Sequence, residues 1–352
     1  SKTFFMKYKV SIIGYLAKQK PLYDGQTVKT KQLASLLRDY LSDEEIGELD
    51  MQGMRQSPVS FLWNYFKLCR NSENVIILPA QGALLLFPLL CILFRRKKTR
   101  MIYDVIGGWL PGYVEKYTYL KFFLRKFDQI WVETSVMKNA LEEKGFKQII
   151  IVPNFKALSI VDKSEIAKDD EYPLNLCIFS RIIAIKGIED GINAVKTINQ
   201  ECGKTIFKLD LYGQIDTTFK DRFEELQSEF PDYIKYCGCV SPSDSPKTLK
   251  KYYALLFPTR YEGEGHPGTV IDGYSAGLPV ISAKWHSYSD FVDEGETGVG
   301  YPQFDYNGLV ETLRKVKENP SMLTNMKERC LEKAKEYSAE TIGKQISLLL
   351  NL

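Results

Sequence analysis

The chain has 352 residues, 44% of them hydrophobic and 26% charged, with a formal net charge of +3. That is the make-up of an ordinary globular protein; it excludes a disordered or fibrous chain, and the length favours two domains over a single core. Seven cysteines lie without a CxxC or a Cys/His cluster and only two histidines are present, which argues against a disulfide framework or a structural zinc and points to a reduced, cytoplasmic setting.

The charge is unevenly spread. Through Phe155 there are 23 Lys/Arg against 14 Asp/Glu, and afterwards 24 against 30. The basic surplus collects at Arg95, Arg96, Lys97, Lys98 and Arg100, and again over residues 116–126. No recognised nucleic-acid motif accompanies it, so the expected partner is an anionic membrane surface and not nucleic acid. Residues 4–6 are far too short a run for the apolar core of a secretory signal.

In chain order, residues 8–15 (YKVSIIGY) read as a buried strand opening into a loop, GQTVKT at 25–30. A helix follows with Leu33, Leu36, Leu37 and Tyr40 on one face. This is not GxGxxG, so a dinucleotide site has little support. Residues 61–69 read as a helix and 75–78 as a strand. The most apolar stretch, 82–94, has thirteen residues and falls short of the ~20 needed to span a membrane. It reads as a buried crossover helix with Pro88 in an early turn or at a kink. Residues 101–106 form the next strand, ending at Gly107 and Gly108. Residues 116–127 (KYTYLKFFLRKF) fit either a helix lying flat on anionic lipid or one with its aromatic face in the core. Strand 129–133, helix 136–144 closed by Gly145, and strand 149–152 complete a first domain, 1–156.

Residues 157–172 are charged and unpatterned, a linker into a second domain at 173–336. Its first strand, 174–179, leads to Arg181 and Lys186. Two cations five apart on a strand-to-helix loop can converge on one diphosphate. Strand 209–213, helix 219–230 and strand 234–240 follow. Cys237 and Cys239 alone make a poor metal site, so no metal is expected. Strand 253–257 then enters a loop with Glu262 and Glu264 among Gly263, Gly265 and Gly268. From Thr269 the pattern is helical, with Val270, Ile271, Tyr274 and Ala276 on one face, until Gly277 stops it and 278–281 forms the next strand. The amides near Gly268, Thr269 and Val270 head a helix and favour an anion such as a diphosphate. Asp272 is then placed to accept from a ribose and Glu264 to face whatever the diphosphate carries. His266 either meets sugar hydroxyls or packs. The tail, 337–352, is an amphipathic helix with Leu348, Leu349 and Leu350 as its expected apolar face.

EGHPGTVID at 264–272 followed by GYSAGLPVI at 273–281 resembles the signature of retaining glycosyltransferases of family 4, EGxPxxxxE followed by AxAxGxPVI. The two carboxylates fall on Glu264 and Asp272, the second shorter than the usual glutamate by one methylene. Arg181 to Gly187 is similar to the family's GRxxxxKG element, with Ser180 in place of its first glycine. The run of strand, ET, helix, G, strand and PN over 129–154 resembles the end of the family's first domain.

The resemblance implies the GT-B arrangement, an α/β fold of two Rossmann-like domains facing across a cleft, with the last helix crossing back to the first domain. It implies a hexosyltransferase that retains configuration, uses a nucleotide-diphosphate sugar such as a UDP-hexose, and needs neither a metal nor another cofactor. Catalytic roles fall on Glu264, Arg181 and Lys186, donor contacts on Asp272, His266 and the Gly268–Thr269–Val270 backbone, and the base on Cys239 and Val240. Gly25, Lys29 and Asp104 become cleft residues of the first domain. The acceptor implied is a glycan carried on a lipid, at the inner face of the cytoplasmic membrane. One departure stands out: relatives carry a histidine near the end of the strand at 101–106, where this chain has Ile106 and Gly107. The rivals are a nucleotide-sugar epimerase, disfavoured by the scarcity of histidine, and a non-catalytic subunit supporting a partner enzyme.

Overall fold

The structure, a computed structural model, describes residues 6–18, 25–157 and 159–352. Phe4 and Phe5 of the short N-terminal run lie outside the described residues. The chain divides into two compact units, residues 1–156 with 339–352, and residues 157–338.

The first unit is built on six parallel strands: β1 (Tyr8–Gly14), β2 (Ile46–Asp50), β3 (Ser72–Ile77), β4 (Arg100–Asp104), β5 (Gln129–Val132) and β6 (Ile149–Ile151), in the order β2-β1-β3-β4-β5-β6. A parallel sheet is covered on both faces, and alternate residues of each strand feed two separate cores. Val75, Ile77, Met101, Tyr103 and Ile130 face the helices Pro58–Asn71, Phe87–Phe94, Leu110–Lys116 and Tyr119–Leu124. Val10, Ile12, Ile76, Ile102 and Trp131 face the helices Gly25–Leu37 and Ala339–Leu350. The edge strand β2 was not expected from sequence. Its Glu48 faces Lys18 and Arg38 and interrupts the apolar run that announces a buried strand.

The C-terminal helix joins this unit through Ile342, Ile346 and Leu350, while Leu348 points to solvent. The expected face of three consecutive leucines is therefore corrected, since neighbours in a helix diverge by about 100° and cannot all face one way. Its last carbonyls, which a helix leaves without internal partners, are taken up by side chains from three strands. Asn74 Nδ2 donates to Leu350 O at 3.1 Å, and Arg100 and Gln129 donate to Leu349 O at 2.7 and 3.1 Å.

Three other expectations are also corrected here. Residues 25–30 are not a loop: the helix begins at Gly25. The stretch 82–94 is two short helices, Gln81–Leu84 and Phe87–Phe94, with Pro88 in the opening turn of the second, where it costs no hydrogen bond. It is also not wholly buried, since Leu86 and Leu93 are exposed. Residues 116–127 likewise break at Tyr117, and the helix Tyr119–Leu124 buries Leu120 and Leu124 while turning Phe122 outward.

The second unit repeats the design with β7 (Leu174–Phe179), β8 (Phe207–Tyr212), β9 (Ile234–Tyr236), β10 (Ala254–Phe257), β11 (Val280–Lys284) and β12 (Gly298–Pro302), all parallel, in the order β12-β11-β10-β7-β8-β9. One core lies under the helices Ile188–Cys202 and Tyr306–Glu318. The other lies under Gly268–Ser275 and Lys327–Lys335. Within the second sits Lys327, fully buried, its ammonium donating to Tyr252 O at 2.8 Å.

Candidate active site

The C-terminal ends of β7, β8 and β10 bring three loops together. In an open parallel sheet this is where ligands bind. After β7 the chain runs through Ser180 and Arg181 into the short turn Ala184–Lys186, then Gly187 opens the helix Ile188–Cys202. Gly187 adopts φ 68°, and a Cβ there would sit 1.8 Å from Pro258 O, so no other residue fits without moving the β10 loop. Gly213, after β8, is bound in the same way: at φ 139° a Cβ would lie 1.9 Å from Ser180 O. These two close approaches fix the Arg181–Lys186 loop against both of its neighbours.

Lys186 turns its ammonium onto Glu264, with Nζ 2.5 Å from Oε2. The same carboxylate oxygen accepts from the Thr259 hydroxyl at 2.9 Å, and Glu264 is nearly buried. Lys186 also lies 5.6 Å from the Tyr261 ring centroid and 5.7 Å from that of Phe257. An ammonium carries three donors, so this one can hold Glu264 and an incoming anion together. Arg181 pairs with Asp216, yet its side chain stays 63% exposed and its guanidinium remains accessible. Hydrogen bonds from the Thr218 hydroxyl and amide hold the Asp216 carboxyl below its usual range, and Arg181 adds to the effect.

The helix Gly268–Ser275 starts beside this pair, and Thr269 donates its hydroxyl to Phe179 O, tying the helix to the end of β7. Val270 is buried, and Asp272 lies half-exposed in the second turn. His266 stands edge-on to Phe291 and Tyr337, at 4.8 and 5.6 Å between centroids, and so belongs to an aromatic cluster. The indole of Trp285 donates to Gly265 O at 3.3 Å. Cys239 is exposed and Val240 half-buried, after the left-handed Gly238 at the end of the β9 segment. Gly213 N donates to Gly238 O at 2.9 Å, which brings that segment towards the β8 turn. Among the described residues, no group of three or more His, Cys, Asp or Glu gathers as a metal site.

Of the residues expected from sequence, Arg181, Lys186, Glu264, Gly268 and Thr269 thus stand at one sheet end. Asp216 and Thr259 were missed. Asp216 is 35 positions from Arg181, and only its Asx turn with Thr218 distinguishes it locally.

In the first unit, Lys29 and Asp104 do meet, 2.8 Å apart, but both are buried, and Glu133 joins them at 3.1 Å from Lys29 Nζ. Burial alone would lower the Lys29 pKa; the two carboxylates outweigh it, and the net shift is upward. Burial pushes the Asp104 carboxyl up as well. Gly25 is the first residue of the helix carrying Lys29.

The architecture is the GT-B fold. Over 97% of this chain and 99% of the other it is similar to the crystal structure of Anabaena Alr3699/HepE in complex with UDP, with a TM-score of 0.75 at 13% identity. It is also similar to sucrose-phosphate synthase from Thermosynechococcus elongatus, with a TM-score of 0.70 at 15% identity over 97% and 98% of the two chains. By sequence, it is 22% identical over 150 residues to the amylovoran biosynthesis glycosyltransferase AmsK of Erwinia amylovora, a match spanning 42% of this chain and 36% of that one. Residues 173–319 match the model of the family described as glycosyl transferases group 1, a span that includes β7 to β12 and every second-unit side chain placed at the sheet end above.

Proposed function

We propose that the protein is a retaining hexosyltransferase that moves a sugar from a nucleotide diphosphate, UDP-hexose being the expected donor, to a glycan acceptor. The observation that carries this reading is the Lys186–Glu264 pair beside the accessible Arg181. Arg181, Lys186 and the amides at Gly268 and Thr269 would receive the diphosphate, Asp272 the ribose, and the backbone at Cys239 and Val240 the base. Glu264 would orient the sugar hydroxyls. In the transfer, the bond from the anomeric carbon to the diphosphate oxygen breaks and the electron pair leaves with the diphosphate. The acceptor hydroxyl oxygen attacks from the same face, and its proton passes to the departing phosphate oxygen. This needs no protein nucleophile and no metal, since two fixed cations stabilise the charge that develops.

The Anabaena relative binds UDP in the same fold, which supports the choice of nucleotide. AmsK acts in polysaccharide biosynthesis, which supports a cell-surface glycan as the product class. The acceptor is read as lipid-linked, and the place of action as the cytoplasmic face of the membrane. A second reading, a non-catalytic subunit, draws on Ile106 and Gly107, which offer no side-chain donor after β4.

The test is thermal unfolding with a panel of nucleotides and nucleotide sugars, repeated on Lys186→Ala. Ligand at about 100 times its Kd adds roughly 2.7 kcal/mol of stability. The expected result is stabilisation by UDP and one UDP-hexose, lost in the variant. No response to any nucleotide would sink the transferase reading. A response to a UDP-hexose without turnover of any glycan acceptor would favour the second reading.

A further inference from the structure

The helix Pro58–Asn71 buries Phe61, Tyr65, Leu68 and Cys69, and its opposite face is not the polar surface such a helix normally shows. Val59 is 82% and Trp63 56% exposed, with Leu62 between them. Trp63 stacks on Phe66 at 5.7 Å, and Phe66 meets Phe94 edge-on at 5.3 Å, so the face continues onto the helix Phe87–Phe94. There Leu93 is 64% exposed and Leu86 nearly half so. The Tyr119 hydroxyl donates to Leu85 O at 2.8 Å and joins the helix Tyr119–Leu124, which presents Phe122 at 58% exposure. Among the described residues, seven of the fifteen exposed large apolar side chains lie on this face. Exposed apolar residues are ordinary when scattered; a contiguous run of them marks a surface that meets something.

Its charge says what. Residues 55–71, 81–100 and 116–127 carry twelve Lys/Arg and no Asp/Glu. Several cations lie over the aromatic rings: Lys67 at 5.2 Å from the Trp63 centroid, Arg70 at 5.4 Å from Phe66 and Lys126 at 4.0 Å from Phe122. The acids beside the face are already used, Asp128 by Arg95 and Glu115 by Lys144. Among the described residues no helix is long and apolar enough to cross a membrane. Apolar side chains flanked by cations, without acids, are the two signals that together hold a protein on an anionic bilayer.

We infer that this three-helix face is a membrane-docking surface, with Val59, Leu62, Trp63, Leu93 and Phe122 entering the headgroup boundary of anionic lipid and the exposed Lys97 and Lys98 meeting its charge. It locates the membrane association that the transferase reading only expects. It would stand even if that reading failed, because vesicle binding is measured without any sugar or nucleotide.

The experiment is co-sedimentation with vesicles of phosphatidylcholine alone and with added phosphatidylglycerol, on the full chain. Binding is expected to the anionic vesicles only, weakening with salt, with a blue shift of tryptophan fluorescence that Trp63→Phe reduces. Each cation neutralised should weaken binding about fivefold, so Lys97→Gln/Lys98→Gln should lose roughly 25-fold. Trp63→Ala/Phe122→Ala should lose binding while unfolding at the wild-type temperature, since both side chains face solvent. Lys186→Ala should bind as the wild type does. Failure to sediment at low salt would overturn the inference, as would binding that these variants leave unchanged. A dimer by light scattering that Trp63→Ala dissociates, without vesicle binding, would assign the face to a second copy instead.

Discussion

The two sheets place a lysine at corresponding ends, and the two lysines are set up for opposite tasks. In the first unit Lys29 is buried between Asp104 and Glu133, with its third hydrogen bond given to Val105 O at 3.3 Å. Its donors are spent. In the second unit Lys186 meets a single carboxylate beside an arginine open to solvent. A cation locked by two acids in low dielectric is a structural element, whereas one sharing a single acid beside an exposed arginine can turn to an anion as well. Lys327 completes the series: it is buried like Lys29, yet Cys177 and Cys330 are its titratable neighbours, and burial pulls its pKa down to about 8.

The largest loss is expected at Lys29. Lys29→Ala leaves two buried carboxylates facing each other, and removal of one partner from a buried ionic cluster costs about 3–5 kcal/mol. Urea unfolding followed in the first unit should show that loss, and Lys29→Met/Asp104→Asn/Glu133→Gln should recover most of it. If Lys29→Ala is as stable as the wild type, the cluster is not structural.

Glu264→Gln tests the role of Lys186. It removes the acid and leaves Lys186 for the diphosphate, so UDP alone should bind at least as well as before. Turnover of the sugar donor should fall by about 10²–10³, the size expected when one preorganised electrostatic contact is lost. Equal losses for UDP binding and for turnover would mean that the pair only shapes the loop.

The smallest effect belongs to Lys327 and depends on pH. Its folded pKa lies below the ordinary lysine value of 10.5, so between about pH 8 and that value the unfolded chain holds more protons and stability rises with pH. Below pH 8 the full penalty applies, on the order of 3 kcal/mol. Lys327→Met removes it but loses the hydrogen bond to Tyr252 O, worth about 1 kcal/mol. The variant should therefore be about 2 kcal/mol more stable at pH 7, and lose that advantage towards pH 10. Parallel stability curves for the two proteins would show that Lys327 does not titrate in this window.

Much of the second unit was legible because its signals are local. The strand Ala254–Phe257, the glycine-bearing loop, the helix from Gly268 and its stop at Gly277 lie within two dozen residues, each with its own turn or capping residue. Arg181 and Lys186 were singled out by the strand-to-helix loop they stand on and its likeness to GRxxxxKG. Thr259 was not, since it bonds Glu264 within the loop itself and lacks any motif that marks it, nor was Asp216, which reaches Arg181 only through the pairing of β8 with β7. Glu133 was missed for the same reason, 104 positions from Lys29. The edge strands β2 and β12 lack the apolar run of a central strand, with Glu48 in one and Gly298 and Gly300 in the other. In the stretch 82–94, hydrophobicity on every side conceals which leucines face out, so the exposed face of three helices could not be read there.

The C-terminal helix also has a consequence in time. Unit one needs residues 339–350 over Leu33, Leu36 and Leu37, and their carbonyl partners wait on Asn74, Arg100 and Gln129. On a ribosome adding about 5–20 residues per second, the first 156 residues precede that helix by roughly 10–40 seconds. Throughout that interval, while the second unit is being made, the first carries an uncovered apolar stripe. The half made first is the half finished last, and a nascent chain stalled before residue 339 would present that stripe to chaperones.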